Sequence, residues 1–163
     1  MAQEIERRFL VGSNGWQSLV LRSEPLVQGY LNQGKEGFTV RVRQGSSQAW
    51  LTLKAPTADP IVRHEFEYSL PLEDAQTMLA LTPWRLEKTR HHLELAGGDW
   101  VVDVFEGENA PLLIAEVELA QADAPLAIPS WCGEEITGRG EFSNAALAVQ
   151  PWQSRHRSGR LHL

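Results

Sequence analysis

The sequence predicts a mainly β domain, α+β in class, whose antiparallel sheet closes into a barrel with a charged lumen and a few flanking helices. Three observations lead there. Segment after segment alternates with a period of two, charged side chains on one face and apolar ones on the other. Like charges cluster strand by strand, as Glu-x-Glu at Glu4/Glu6, Glu65/Glu67 and Glu116/Glu118, and as Arg-x-Arg at Arg41/Arg43. An open sheet with its charged face in water would alternate too, but surface strands mix their charge signs, and like charges on one face repel unless opposite charge lies between them. Finally, the helices are too few to cover one face of a long open sheet, and closure removes the edges and turns the charged face inward.

The first strand, residues 4–11, sets the pattern: Glu4, Glu6 and Arg8 share one face, Ile5, Phe9 and Val11 the other, with Arg7 the exception. Gly12 to Gly15 is a turn, Trp16 to Leu21 a short helix, and Leu26 to Leu31 a strand. Gly34-Lys35-Glu36-Gly37 reads as a hairpin loop before the alternating strands 38–43 and 49–54. In the strand 61–70, Arg63, Glu65 and Glu67 face one way, His64, Phe66 and Tyr68 the other. The period then changes: Leu72, Ala75, Met78 and Leu79 predict an amphipathic helix over 71–81, with Pro71 and acidic residues in its first turn and Thr82-Pro83 ending it. Strands return at 85–95, 100–105 and 112–119. They carry Lys88 and Arg90, then Asp103, then Glu116 and Glu118. From Ala120 onward the chain reads as helical and irregular, with a short helix over 142–149 and a basic, frayed tail at 154–160.

With 163 residues, no repeat and no linker, residues 1–163 are expected to form one domain. A net charge of −6 argues against a general nucleic-acid binder. The lone Cys132 excludes an intramolecular disulfide and reads as a buried or incidental thiol. No signal peptide or membrane-length apolar run is visible, so the expectation is a cytoplasmic protein with no membrane partner.

A lumen that gathers Glu4, Glu6, Glu65, Glu67, Asp103, Glu116 and Glu118 with as many cations is intolerable as a dry core. It makes sense as a wet tunnel for a ligand both metallic and highly anionic. Paired carboxylates on neighbouring strands suit Mg²⁺ or Mn²⁺, which take hard oxygen donors. Arg41, Arg43, Lys54, Lys88 and Arg90 suit a chain of phosphates. Phosphoryl transfer needs positioning and charge neutralisation more than covalent chemistry, and no Gly-x-x-x-x-Gly-Lys loop offers the P-loop alternative.

The ordered motifs Glu4-Ile5-Glu6-Arg7-Arg8-Phe9-Leu10-Val11, Gln28-Gly29-Tyr30-Leu31, Arg41-Val42-Arg43, Leu51-Thr52-Leu53-Lys54, Glu65-Phe66-Glu67-Tyr68, Lys88-Thr89-Arg90, Asp103 to Asn109 and Ala115-Glu116-Val117-Glu118-Leu119 resemble the CYTH domain, or triphosphate tunnel metalloenzyme, family. They cover about the first three-quarters of the chain, and Glu134 to Gly138 is similar to the family's C-terminal segment. The nearest likeness is to short bacterial members that hydrolyse inorganic triphosphate. The resemblance implies an eight-stranded antiparallel barrel and divalent metal at Glu4, Glu6, Glu116 and Glu118, with Asp103 nearby. It implies phosphate contacts from Arg41, Arg43, Lys54 and Arg90; Arg8 and Arg63 join that cationic set. Water activation falls to Tyr30 and Lys88, an adjacent ammonium favouring phenolate, with a glutamate base at Glu65 or Glu67 as the alternative. The family signature has lysine where this chain has Arg8, a change of reach and geometry.

The expected function is therefore metal-dependent hydrolysis of a small-molecule triphosphate to pyrophosphate and phosphate; a homodimer is left open. Three other readings stand beside it. An adenylate cyclase of the related type needs an adenine pocket that the sequence does not mark. Thiamine triphosphatase needs an aromatic such as Trp50 or Trp84 at the tunnel mouth. A non-catalytic polyphosphate- or nucleotide-binding module needs the cations more than the acids.

Overall fold

Strand register turns the alternating segments into a barrel wall. The computed structural model describes residues 2–33 and 37–161, with side chains to residue 156. Its strands are β1 (Gln3–Val11), β2 (Val20–Tyr30), β3 (Thr39–Gln44), β4 (Ala49–Pro56), β5 (Val62–Leu70), β6 (Trp84–Leu93), β7 (Asp99–Phe105), β8 (Leu113–Glu118) and β9 (Cys132–Glu135). Helix α1 (Leu72–Leu81) separates β5 from β6; α2 (Asn144–Val149) and α3 (Trp152–Leu161) follow the last strand. The sheet runs β5-β4-β3-β2-β6-β7-β8-β1, and β1 pairs again with β5, Glu4 lying opposite Arg63. That return closes an eight-stranded antiparallel barrel, as expected. It also leaves the far half of β1 without a neighbour on that edge. β9 fills the gap, with Phe9 opposite Glu135 and Val11 opposite Cys132.

The outer face of the wall is apolar and covered piecewise. Phe9, Trp100, Val102, Ala115 and Val117 are buried with Trp16 and Trp131 from the loops after β1 and β8. Trp100 lies between Phe9, 6.2 Å away, and Trp131, 5.8 Å away. Helix α1 lays Ala75 and Leu79 on Val42 and Ala49 of β3 and β4. Toward one end of the barrel the inward face also turns apolar. Leu86, Phe105 and Ile114 continue the face of Lys88, Asp103 and Glu116, and they pack with Tyr30 and with Leu147 and Ala148 of α2. Helix α2 thus stoppers that end.

Four expectations are corrected. The segment predicted as a helix over 16–21 is one 3-10 turn, Gln17–Leu19, and β2 starts at Val20 rather than Leu26. Pro25 sits where β2 is bonded to β6 alone, since β3 reaches only Val27 to Tyr30. Residues 120–131 form a loop instead of helix, and β9 is a strand that short-range pattern could not reveal, because only the β1 edge defines it. The tail forms α3, its first turn anchored by Trp152 against Phe142 at 5.8 Å. The hairpin loop 34–37 lies largely outside the described residues. No helix among the described residues is long and apolar enough to cross a membrane.

Gly29 explains part of one motif. Gln28 and Tyr30 point inward, and Gly29 faces α1 so closely that a Cβ would lie 2.8 Å from both Leu79 Cδ2 and Thr82 Cγ2. Gly29→Ala is therefore expected to destabilise the fold by roughly 1–3 kcal/mol through overpacking. Urea denaturation reads this directly, and an unchanged midpoint would show that α1 does not press on β2.

Candidate active site

The lumen is a cavity of about 1460 Å³. That exceeds the roughly 300–1,000 Å³ of ordinary ligand pockets, leaving room for water and ions beside an extended ligand. It is lined by every candidate residue except one: Glu4, Glu6, Arg8, Tyr30, Arg41, Arg43, Lys54, Arg63, Glu65, Glu67, Lys88, Arg90, Glu116 and Glu118. The exception, Asp103, is fully buried behind Lys88 and Arg90. Register explains the convergence. Strand partners on the inner face include Arg8 with Glu116, Tyr30 with Arg41, Lys54 with Glu65 and Arg90 with Asp103.

Asp103 is the most committed group. Arg90 grips both its oxygens at 2.9 Å, and Lys88 Nζ reaches Oδ2 at 2.6 Å. Burial alone would raise its pKa, but Arg90 and Lys88 outweigh burial and hold it far below the usual carboxylate range. Both oxygens being occupied, Asp103 stands as their counter-ion; the resemblance had placed it near the metal. Burial pushes the Lys88 ammonium down to about 7 despite Asp103. A second acceptor, Asn144 Oδ1, meets Lys88 Nζ at 2.9 Å.

The four expected metal-ligating acids divide in two. Glu4 is closed by Lys54 at 2.7 Å on one oxygen and Arg63 at 2.7 Å on the other. Those cations overcome its burial and lower its pKa. Glu116 is closed by Arg8 at 2.9 Å and Arg90 at 3.1 Å. Glu6 and Glu118 lie directly opposite each other on β1 and β8. Glu6 holds only Arg63, at 3.2 Å, and Glu118 makes no ion pair among the described residues. Burial, then Glu116 and Glu4, push Glu6 up to about 7; burial, then Glu4, Glu65 and Asp99, raise Glu118. These donors are of the hard-oxygen kind that Mg²⁺ and Mn²⁺ take, and negative charge is in excess at this pair. Among the described residues no three acids already converge as a ready cage, because Arg63 bridges Glu4 and Glu6.

The cations are arranged the other way. Arg8 Nη2 and Arg41 Nε are buried with no hydrogen-bond partner among the described residues, although Arg8 Nε holds Glu116 and Arg41 Nη2 donates to Thr52 at 3.2 Å. Each such donor costs about 1–3 kcal/mol unless an acceptor is supplied. Arg43 donates to Gln28 Oε1 at 2.8 Å, and Gln28 Nε2 donates to the Tyr30 hydroxyl at 3.2 Å. The expected Tyr30–Lys88 pair is not formed: Lys88 is bonded to Asp103 and Asn144, and burial raises the Tyr30 pKa against the pull of Arg41 and Arg43. The neighbouring positive charge does not make this phenol a phenolate.

Several contributors were not marked in the sequence. Asn144 lies beyond the barrel strands, on a helix with no charge pattern. Asp99 opposes Glu118 from β7, one residue past a hairpin glycine. Thr52, donating to Glu67 at 2.9 Å and accepting from Arg41, had a legible signal, since it shares the face of Lys54. Arg7, the odd residue of β1, points outward and forks onto Glu135 of β9 at 2.9 and 2.7 Å. Half-buried Cys132 has its thiol pushed up to about 11 by burial, which leaves it unreactive.

A profile of the CYTH domain matches residues 2–146. The chain belongs to the CYTH domain family. Enzymes of this family are metal-dependent. The chain is 35% identical over 156 residues to an inorganic triphosphatase of Acetivibrio thermocellus, covering 94% of this chain and 98% of that one. It is 35% identical over 150 residues to an inorganic triphosphatase of Nitrosomonas europaea, covering 90% and 97%. A solved inorganic triphosphatase structure superposes with a TM-score of 0.66 at 34% identity, over 91% of this chain and 96% of that one. A Hippeastrum protein with an adenylyl cyclase name and a dominant triphosphatase activity is 14% identical, with a TM-score of 0.57 over 72% of this chain and 80% of that one. That last likeness shows the fold alone.

The charge excess at Glu6 has a signed consequence. Folding holds a proton on Glu6 up to about pH 7, which the unfolded chain releases above about 4.5. Without metal, Glu6 therefore costs stability increasingly from about pH 4.5 to 7 and fully above. In EDTA, Glu6→Gln should be more stable than the parent at pH 8 by roughly 1–3 kcal/mol, the gap closing near pH 4.5. Denaturant titrations at the two pH values decide; a gap independent of pH would contradict the assignment.

Proposed function

We propose that this chain hydrolyses inorganic triphosphate, residues 1–163 acting as one catalytic unit. One observation carries the reading: the same tunnel has unmet demand of both signs, open buried donors on Arg8 and Arg41 and surplus carboxylate at Glu6 and Glu118. A linear triphosphate with a divalent cation satisfies both. Two relatives of nearly matching length being inorganic triphosphatases supports the substrate.

Arg8, Arg41, Arg43, Lys54, Arg63 and Arg90 bind and orient phosphoryl oxygens. Glu6 and Glu118, with Glu4 and Glu116 behind them, hold Mg²⁺ or Mn²⁺, which supplies Lewis-acid neutralisation of phosphate charge when bound. Asp103 fixes Lys88 and Arg90 and is not a ligand in this assignment. Water attacks the terminal phosphorus, its proton passes to Lys88 Nζ, and the bridging P–O bond breaks to release pyrophosphate. Lys88, pushed down to about 7, has a neutral fraction near neutral pH for that task. Tyr30 stays a phenol and donates its free proton to an oxygen in the tunnel. Against the thiamine reading, neither Trp50 nor Trp84 lines the cavity, and Trp84 packs on the core around Tyr30 and Leu86.

Phosphate release with Mg²⁺ or Mn²⁺ from tripolyphosphate, ATP, thiamine triphosphate and pyrophosphate, with cyclic AMP assayed in parallel, tests the proposal. Strong preference for tripolyphosphate and no cyclic AMP is the expected result; preference for ATP, or cyclic AMP formation, overturns it. Lys88→Met should lower kcat by roughly 10²- to 10⁴-fold with little change in KM; a change confined to KM would make Lys88 a phosphate contact only.

A further inference from the structure

We propose that Asn144 is a positioning residue for this reaction: through its side-chain carbonyl it fixes the Lys88 Nζ that meets the attacking water. The inference rests on the reading of Lys88 given above. Lysine carries its ammonium on a flexible four-carbon stem with three rotatable donors, and a general base must be aimed to within a fraction of an ångström. The barrel itself supplies one anchor, Asp103 Oδ2 at 2.6 Å. One anchor leaves the amine free to swing about that bond. The second anchor, Asn144 Oδ1 at 2.9 Å, comes from outside the barrel. With two of the three Nζ positions taken, the direction of the third is set.

Asn144 is itself held. It starts α2 just after Ser143, whose hydroxyl accepts from the Ala146 N–H at 3.1 Å. Leu147 is fully buried in the cluster with Tyr30, Leu86 and Phe105. Asn109 donates to the Leu147 carbonyl at 3.3 Å and accepts from the Trp152 N–H at 2.9 Å, so α2 is tied to the loop after β7 and to α3. The stopper of the barrel thereby presents one polar group to the tunnel. A neutral amide suits the place. It accepts a hydrogen bond from Lys88 without adding a further carboxylate beside Asp103, which already balances Lys88 and Arg90.

A four-variant cycle on the full chain tests this: parent, Asn144→Ala, Lys88→Met and the double variant, with Asn144→Asp as the variant that keeps an oxygen in place. Tripolyphosphate turnover is measured with Mg²⁺, and folding is checked by circular dichroism and thermal melting. Asn144→Ala should lower kcat by roughly 10- to 100-fold with KM within about twofold, Asn144→Asp should recover only part of the loss, since it restores the oxygen but adds a carboxylate beside Asp103, and Asn144→Ala should cost nothing further in the Lys88→Met background. If Asn144→Ala fails to fold, Asn144→Ser, which keeps the helix start and withdraws the acceptor, carries the same comparison. Unchanged kcat, or equal losses in both backgrounds, overturns the proposal while leaving the Lys88 reading intact. Near-normal kcat in Lys88→Met overturns the reading beneath it.

Discussion

Charge that the strand pleat turns into the barrel is stable there only where opposite charge or a hydrogen-bonding partner inside it meets it. Buried Asp103 is the clearest instance. Its two oxygens are shared between Lys88 and Arg90, whose buried charges it balances. Removing one member of such a set strands the others at a cost of about 3–5 kcal/mol. The same rule links several strands around the wall, where an inward cation faces an acid on a neighbouring strand: Arg8 with Glu116, Lys54 with Glu65, Arg63 with Glu4. The lumen is therefore both the site and part of what holds the barrel closed.

The balance is incomplete, and chemistry enters where it fails. Glu6 and Glu118 face each other with too little positive charge between them, while Arg8 and Arg41 keep N–H groups without acceptors. Arg63 is the stand-in, one guanidinium spanning Glu4 and Glu6. A ligand carrying both a divalent cation and phosphate oxygens would complete the tunnel's charge balance rather than disturb it. Arg8 holds Glu116 through Nε while its Nη2 stays without a partner among the described residues.

Much of this was legible in the residues. Period-two alternation located all eight barrel strands, and clustered like charge marked their inward face, because the pleat converts sequence spacing directly into side-chain direction. What failed was non-local. The start of β2 is defined only by its pairing with β6, since β3 stops short of it. β9 exists because β1 outruns β5, a fact about the far end of another strand. Asn144 carries no charge and sits on a helix, so nothing in its neighbourhood pointed to Lys88, 56 residues away. Residue spacing also did not show that Tyr30 and Lys88 join separate networks, Tyr30 with Gln28 and Lys88 with Asp103 and Asn144.

The proposed reaction requires cation and triphosphate to occupy the tunnel together, each completing what the other leaves unmet. Calorimetric titration of Lys88→Met with tripolyphosphate, at fixed protein concentration with and without saturating Mn²⁺, tests it most directly. Mn²⁺ should tighten triphosphate binding at least several-fold, and triphosphate should tighten Mn²⁺ binding by the same factor, as linkage requires. Triphosphate affinity that is unaffected by Mn²⁺ would contradict it.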